Sequence, residues 1–385
     1  MRALVVHGSA DLYGSDRACV RIVEAAVDAG WQIDVIIPND GPLLAPLEAT
    51  GAAVHVLDPL VVRRADLRWP TVAATPVRWA AAAVGLWQLA GRERVDLVHT
   101  NTAGALGGAL IARRLRVPHI WHVHELFWQP RPVVAGFERM LRTADLVLCC
   151  SQAVADQFVD ARVRARCRVA YTGAEVPPDL PEVQPLSGPG LEVVSVGRIN
   201  EWKGQEILVA AVGKVIELRP GIPVTLRLIG DVFRTEHHYR QQLESTIARL
   251  GLGEVVVLEG DRRDALALVA RADIFVLPSR RPEPFGMALV EAMALGRPSI
   301  ATAAGGPLEI ITSGRDGVLV PPADPGAMAA AIVDLWERPD VARRLAGAGR
   351  QRAGDFTLDA MATQVMRGWQ EALDTGVAGR RGESS

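Results

Sequence analysis

The sequence predicts an α/β protein made of two doubly wound, parallel-sheet domains, and three observations carry that expectation. Short apolar runs of strand length alternate with helix-period stretches through the amino-terminal half. A proline-rich break, Glu175 to Gly190, then interrupts the pattern. Beyond it the same alternation restarts, as βα units of a second parallel sheet would. At 385 residues with 49% apolar side chains, the chain is long enough for two buried cores.

The strand candidates of the first domain (residues 1–175) are Ala3–His7, Ile33–Ile37, Val54–Leu57, Leu97–Thr100, Ile120–Val123, Leu146–Cys149 and Arg168–Ala170. Helical patterns lie between them at Arg17–Ala29, Val77–Gly91 and Gly104–Arg114. Residues 176–190 read as a linker, because Pro177, Pro178, Pro181, Pro185 and Pro189 stand among polar residues and glycines. The second domain (191–355) offers Val193–Val196, Thr225–Ile229, Val255–Leu258, Ile274–Leu277 and Ser299–Ala301 as strands. Thr302–Glu309 and Gly317–Pro322 read as a turn needing flexible backbone with a short helix after it. Thr357 is a candidate N-cap for a last helix, Leu358–Leu373, within residues 356–373. Residues 374–385 are expected to fray.

Composition narrows the function. A net charge of −2 gives no support for nucleic acid as a partner. Cys19, Cys149, Cys150 and Cys167 lack metal-ligand spacing and read as small core residues. Ala3–His7 is too short for a signal-peptide core, so a cytoplasmic protein is expected. Val72–Ala90 is apolar but holds Pro76, Arg78 and Gln88, which argues against a spanning helix. Arg63, Arg64, Arg68, Trp69, Arg78 and Trp79 cluster around it. A solvated arginine face explains them most simply, and peripheral contact with the inner face of a membrane is the second reading. Among 42 lysines and arginines only Lys203 and Lys214 are lysine, so a compact ammonium at Lys203 stands out.

The richest stretch is Pro278–Gly296. A buried strand, Ile274–Leu277, leads into it. Pro278, Pro282 and Pro284 force Ser279–Phe285 into a loop. Helical composition starts at Met287, and Gly296-Arg297-Pro298 ends it. Glu283 therefore sits in a loop at the carboxyl end of a strand, where open parallel sheets bind ligands. Glu291 lies one turn inside the next helix. Carboxylates beside a helix start suit a ligand carrying both hydroxyls and phosphates. A plain strand–loop–helix with two solvated glutamates would have the same spacing.

Three other segments follow strands. Arg198 and Lys203, in Val196-Gly-Arg-Ile-Asn-Glu-Trp-Lys-Gly204, could offer two charges to a diphosphate, or be solvated cations. In Pro118-His-Ile-Trp-His-Val-His-Glu125, His122 and His124 are two apart and share a strand face. They could be core or rim histidines; a metal site lacks an evident third ligand. After the first strand, His7 to Arg17 could bring the backbone at Gly14 near a phosphate, but it lacks the Gly-x-Gly-x-x-Gly dinucleotide fingerprint. An ordinary turn would look the same. No Asp-x-Asp pair occurs in the chain.

Glu283-Pro-Phe-Gly-Met-Ala-Leu-Val-Glu291 resembles the Glu-x7-Glu signature of the retaining glycosyltransferases of family four, which have the two-domain GT-B fold. The resemblance spans nearly the whole chain and is most specific in the second domain. It implies that Glu283 and the backbone N–H groups of Phe285, Gly286 and Met287 hold sugar hydroxyls. It implies that Glu291 holds the ribose, that Arg198, Lys203 and Gly14 hold the diphosphate, and that His124 lies by the reacting sugar, with His122 as the alternative. Glu309 could also reach the site. The final helix would cross back to the first domain. Tyr13-Gly14-Ser15 departs from relatives that carry two glycines there. The implied reaction moves a sugar from a UDP- or GDP-sugar to a hydroxyl acceptor, such as a lipid-linked one in cell-envelope polysaccharide, glycolipid or small-molecule glycoside synthesis. It proceeds by front-face attack, with no metal and no further cofactor. A nucleotide-sugar epimerase of the same fold is the alternative, and a non-catalytic sugar-nucleotide-binding protein is a third.

Overall fold

The computed structural model describes residues 1–12, 14–61, 84–88, 94–127, 131–174, 184–232 and 236–382. Tyr13, the cluster Arg63–Trp79, much of the expected helix Val77–Gly91 and linker residues 175–183 lie outside them. The chain divides into two units. Unit one is Met1–Gly173 with Leu358–Ser385, and unit two is Ala174–Thr357.

Unit one holds seven strands: β1 Arg2–Val6, β2 Gln32–Ile37, β3 Ala53–Val56, β4 Leu97–Thr100, β5 His119–Val123, β6 Leu146–Cys149 and β7 Cys167–Val169. They form one sheet in the order β3-β2-β1-β4-β5-β6-β7, and every pair is parallel. Such a sheet is covered on both faces, which is why its strands read as unbroken apolar runs. Ala3 and Val5 belong to one core cluster, with Val35, Ile120 and Trp369. Leu4 and Val6 belong to another, with Ile36, Val98 and Ile111.

The last helix, Leu358–Gly382, closes the first of these cores. Trp369 is fully buried and meets Trp31 edge-on, ring centres 5.2 Å apart. Arg21 ties the same helix to Gly14–Asp28 through Asp359, at 2.8 Å. The helix runs past Leu373, so residues 374–382 are helical rather than frayed. Chain ends ordinarily fray, but no proline interrupts the main-chain hydrogen bonding here.

Unit two holds β8 Leu191–Val196, β9 Val224–Ile229, β10 Val256–Gly260, β11 Ile274–Leu277, β12 Ser299–Thr302 and β13 Val318–Val320. The order is β10-β9-β8-β11-β12-β13, again all parallel. β13 corrects the expected turn and short helix at Gly317–Pro322. The Val-Leu-Val run extends the sheet edge against β12, as its β-branched side chains favour. The core joins Val193, Leu226, Ile274 and Ile300 to Leu208, Val212, Met328 and Ile332 from the helices Gln205–Leu218 and Pro325–Glu337.

In each sheet the strand order reverses at one place, between β1 and β4 and between β8 and β11. At such a switch point neighbouring loops diverge to opposite faces and leave a crevice beyond the carboxyl ends.

Candidate functional site: strand ends at two switch points

In unit two, the loops after β8 and β11 meet at the switch point. Asn200 starts a 3-10 turn, Glu201–Lys203, by accepting from the Lys203 N–H at 3.0 Å. Gly204 then takes φ +70°. A Cβ there would lie 2.2 Å from the Pro278 carbonyl, so only glycine lets the loop after β11 come this close. The Arg280 N–H donates to the Trp202 carbonyl at 2.8 Å, joining the two loops.

This brings Lys203 onto Glu283. The Lys203 Nζ donates to both carboxylate oxygens, at 2.9 and 3.1 Å. It also lies 4.3 Å above the Trp202 ring. The Glu283 side chain is 3% exposed and that of Lys203 19%. The Ser279 hydroxyl donates to Glu283 as well, and the Thr302 hydroxyl holds the Ser279 carbonyl at 2.9 Å. The loop after β12 fixes the backbone of Glu283: its N–H donates to Ala304 at 3.2 Å, and its carbonyl accepts from Gly306 at 2.9 Å. Gly305 has φ +74°, and a Cβ on it would stand 2.2 Å from the Glu283 carbonyl.

The helix Met287–Ala294 begins behind Gly286, which takes φ +118°. Its first N–H groups are of the kind an α-helix leaves without internal partners. The side chain of Phe285 is buried edge-on against Phe356, centres 5.5 Å apart, so only its backbone can serve a ligand. Glu291 is half-buried on the second turn. Arg198 is half-buried beyond β8, its carbonyl held by Gln205 at 3.0 Å. Glu309 stands in the short helix Pro307–Ile310, half-buried.

In unit one, Gly14 opens the first helix and His124 follows the end of β5, half-buried. His124 belongs to a chain of polar side chains at neighbouring strand ends. Its Nε2 is 3.1 Å from Asn101 Oδ1, and Asn101 Nδ2 is 3.1 Å from His7 Nδ1. His7 Nε2 is 2.8 Å from Asp16, in the first turn after Gly14. The Gly14 helix start and His124 are thus joined through β1, β4 and β5. Glu125 accepts from the Thr102 hydroxyl at 2.7 Å and from the His124 N–H at 2.9 Å. Burial raises its pKa, partly offset by these bonds.

His122 lies within β5, fully buried, its ring centre 4.0 Å from that of His124. Neither of its ring nitrogens has a hydrogen-bond partner among the described residues. Burial, reinforced by His124 and His99, holds its pKa well below the ordinary value. Burial likewise lowers His99 to about 3 and His119 to about 3. It lowers His124 to about 4, with His7 acting in the same sense. All four rings are neutral at pH 7. No group of three or more metal-binding side chains occurs among the described residues.

Ser279, Asn101, His7, Asp16 and Trp369 were not singled out from the sequence. A polar residue directly after an apolar strand run would have pointed to His7 and Asn101. Trp369 comes from the far end of the chain and carries no such signal.

Two Rossmann-like units, each an all-parallel sheet with one switch point, make this a GT-B fold. The chain matches "Glycosyltransferase Family 4" over residues 13–176 and "Glycosyl transferases group 1" over residues 190–338. It belongs to this glycosyltransferase family. Among solved structures it is similar to Anabaena HepE in complex with UDP, at TM-score 0.80 and 26% identity, covering 96% of this chain and 100% of that one. HepE has also been solved with UDP-glucose. The chain is 26% identical over 394 residues to D-inositol 3-phosphate glycosyltransferase 1 of Catenulispora acidiphila, covering 95% of this chain and 90% of that one. It is 26% identical over 288 residues to an uncharacterized glycosyltransferase of Methanocaldococcus jannaschii, covering 73% and 77%. These relatives lend the epimerase alternative no support.

Proposed function

We propose that this glycosyltransferase moves a sugar, with retention of anomeric configuration, from a UDP- or GDP-sugar to a hydroxyl acceptor. The observation that carries the reading is the Lys203–Glu283 pair at the switch point of unit two. A buried carboxylate and a half-buried ammonium hold each other until a ligand offers both an anion and hydroxyls. Diphosphate oxygens would then take Lys203, and sugar hydroxyls would take Glu283, so neither charge is left bare. Arg198 and Gly14 join Lys203 on the diphosphate. The backbone at Phe285, Gly286 and Met287 assists Glu283, Glu291 takes the ribose hydroxyls, and His124 lies by the sugar.

In the reaction, the bond between the anomeric carbon and the phosphate oxygen breaks. The acceptor oxygen bonds to the same face, and its proton passes to the departing phosphate oxygen. The nucleoside diphosphate leaves with that proton, and no glycosyl-enzyme is needed. Arg198 and Lys203 stabilise the charge that builds on the leaving group. That charge stabilisation makes the reaction independent of a divalent metal. Incubation with UDP-, GDP- and ADP-sugars in excess chelator tests this. Turnover with an α-donor giving an α-product is expected; an inverted product or complete loss on chelation refutes it.

A lipid-linked acceptor is favoured by one surface of unit one. Val84, Trp87 and Leu110 are exposed, Trp87 to 60%. Trp87 and Leu110 share a groove with Ile111, Arg113 and Arg114, and the Arg114 guanidinium lies 4.5 Å from the Trp87 ring centre. Apolar and cationic groups side by side suit an anionic lipid surface. Among the described residues no helix is long and apolar enough to cross a membrane. Co-sedimentation with anionic vesicles that weakens at high salt is expected, and its absence at low salt refutes the lipid reading.

A further inference from the structure

Followed from its Trp369 end, on the C-terminal helix, the hydrogen-bond chain in unit one takes one arrangement of protons. The Trp369 indole N–H, which can only donate, lies 2.8 Å from His99 Nδ1. Nδ1 of His99 is therefore an acceptor, and the neutral ring carries its hydrogen on Nε2. That hydrogen points at the Asn101 amide, 3.4 Å away. The amide must present its oxygen there, since the reverse orientation would set two donors against each other. The same oxygen is 3.1 Å from His124 Nε2. An amide oxygen only accepts, so His124 carries its hydrogen on Nε2. On the far side, Asn101 Nδ2 donates to His7 Nδ1 at 3.1 Å, and His7 Nε2–H donates to Asp16 at 2.8 Å.

We propose that Trp369 is a positioning residue that fixes the tautomer of His124 through His99 and Asn101, so that His124 Nδ1 accepts a hydrogen bond from a hydroxyl of the sugar or of the incoming acceptor. Only the naming of that hydroxyl rests on the proposed function; the proton arrangement rests on the geometry alone. Trp369 is fully buried and lies 353 or more positions from His7 and Asp16 in the chain, yet the network ends on it. The device restricts His124 to the accepting role at Nδ1, as hydrogen bonds to a second ring nitrogen do in other histidine sites. His7 is the one member under opposing influences. Burial disfavours charge on it, but Cys19 and Asp16 outweigh burial and raise its pKa to about 10. A second proton on His7 Nδ1 favours turning the Asn101 amide over, which would set its NH2 against the His99 Nε2–H that Trp369 holds, so Trp369 is what opposes the turn.

Long-range nitrogen–proton spectra of the full chain, labelled with 15N-histidine, read the tautomers directly and need neither donor nor acceptor. In the wild type, His124 and His99 should each show a protonated Nε2 and a bare Nδ1. Trp369→Phe removes the donor but keeps a ring, and should convert His124 to a mixture of tautomers. Asn101→Asp keeps an accepting oxygen toward His124 and His99 and puts a second acceptor toward His7. It should leave the His124 pattern unchanged and protonate His7 on both nitrogens. A hydrogen on Nδ1 of His124 in the wild type overturns the proposal, as does an unchanged His124 pattern in a folded Trp369→Phe. If that variant does not fold, the wild-type and Asn101→Asp spectra decide. Nucleotide-sugar binding, measured separately by calorimetry, tests the proposed function, so the two can fail independently.

Discussion

Replacing Lys203 with methionine should destabilise unit two far more than a surface lysine would. The side chain of Glu283 is only 3% exposed, and Lys203 supplies hydrogen bonds at 2.9 and 3.1 Å to its two oxygens. Ser279 and the backbone cannot supply the missing positive charge. Removing one partner of a buried ion pair typically costs about 3–5 kcal/mol, because the other charge stays buried and unpaired. Glu283→Gln leaves Lys203 partly solvated, at 19% exposure, and should cost less, about 1–3 kcal/mol. With both changes no charge is stranded. The double variant should therefore be more stable than the sum of the single effects predicts, by roughly 2 kcal/mol or more.

For a unit of this size, Ala174–Thr357, the Lys203→Met loss corresponds to a fall of roughly 6–20 °C in Tm. Urea denaturation followed by hydrogen exchange, peptide by peptide, separates opening of unit two from that of unit one. Additive effects of the two substitutions, or a Lys203→Met cost below about 1 kcal/mol, would show the pair to be an ordinary solvated contact. The same experiment guards the functional test. Loss of activity in Lys203→Met counts toward diphosphate binding only at a temperature where the variant is folded.

Three further outcomes follow from the geometry. Gly305→Ala should lower nucleotide-sugar affinity at least about tenfold, since the new Cβ would meet the Glu283 carbonyl 2.2 Å away at φ +74° and must push that loop aside; calorimetry reads it, and unchanged affinity refutes the close-approach reasoning. His99, His119 and His122 have pKa values held down in the folded state, so below pH 6.5 the unfolded chain takes up protons that the folded chain refuses. Stability of unit one should fall with pH, by up to about 2 kcal/mol per histidine between pH 7.5 and 5, and denaturation that is flat across this window would contradict it. Glu291→Gln should weaken binding of a ribonucleotide diphosphate but leave that of its 2′,3′-dideoxy analogue nearly unchanged, about tenfold against less than twofold, as loss of one charged hydrogen-bond acceptor predicts; equal losses would remove Glu291 from the ribose.

The sheets were legible because parallel strands are buried on both faces and so leave unbroken apolar runs, such as Ile274–Leu277 and Leu146–Cys149. β13 was not, because three residues at a sheet edge after Gly317 look like a turn. The loop at Glu283 was legible because prolines leave it no alternative. That Lys203 would pair with Glu283, 80 positions on, was not. The pairing follows from β8 and β11 being neighbours, and sequence order alone places β9 and β10 between them. The same holds for Asn101 and His7, which only the β1–β4 pairing brings together.

The central claim is that unit two grips an activated sugar by its diphosphate and its hydroxyls. Calorimetric titration of UDP-glucose, GDP-mannose and ADP-glucose in chelator tests it most directly, with Arg198→Ala as the control. The account predicts one-to-one binding of at least one of the three, weakened about tenfold or more in Arg198→Ala, as removal of a charge-assisted contact requires. No binding of any of them, or binding that Arg198→Ala leaves intact, contradicts it.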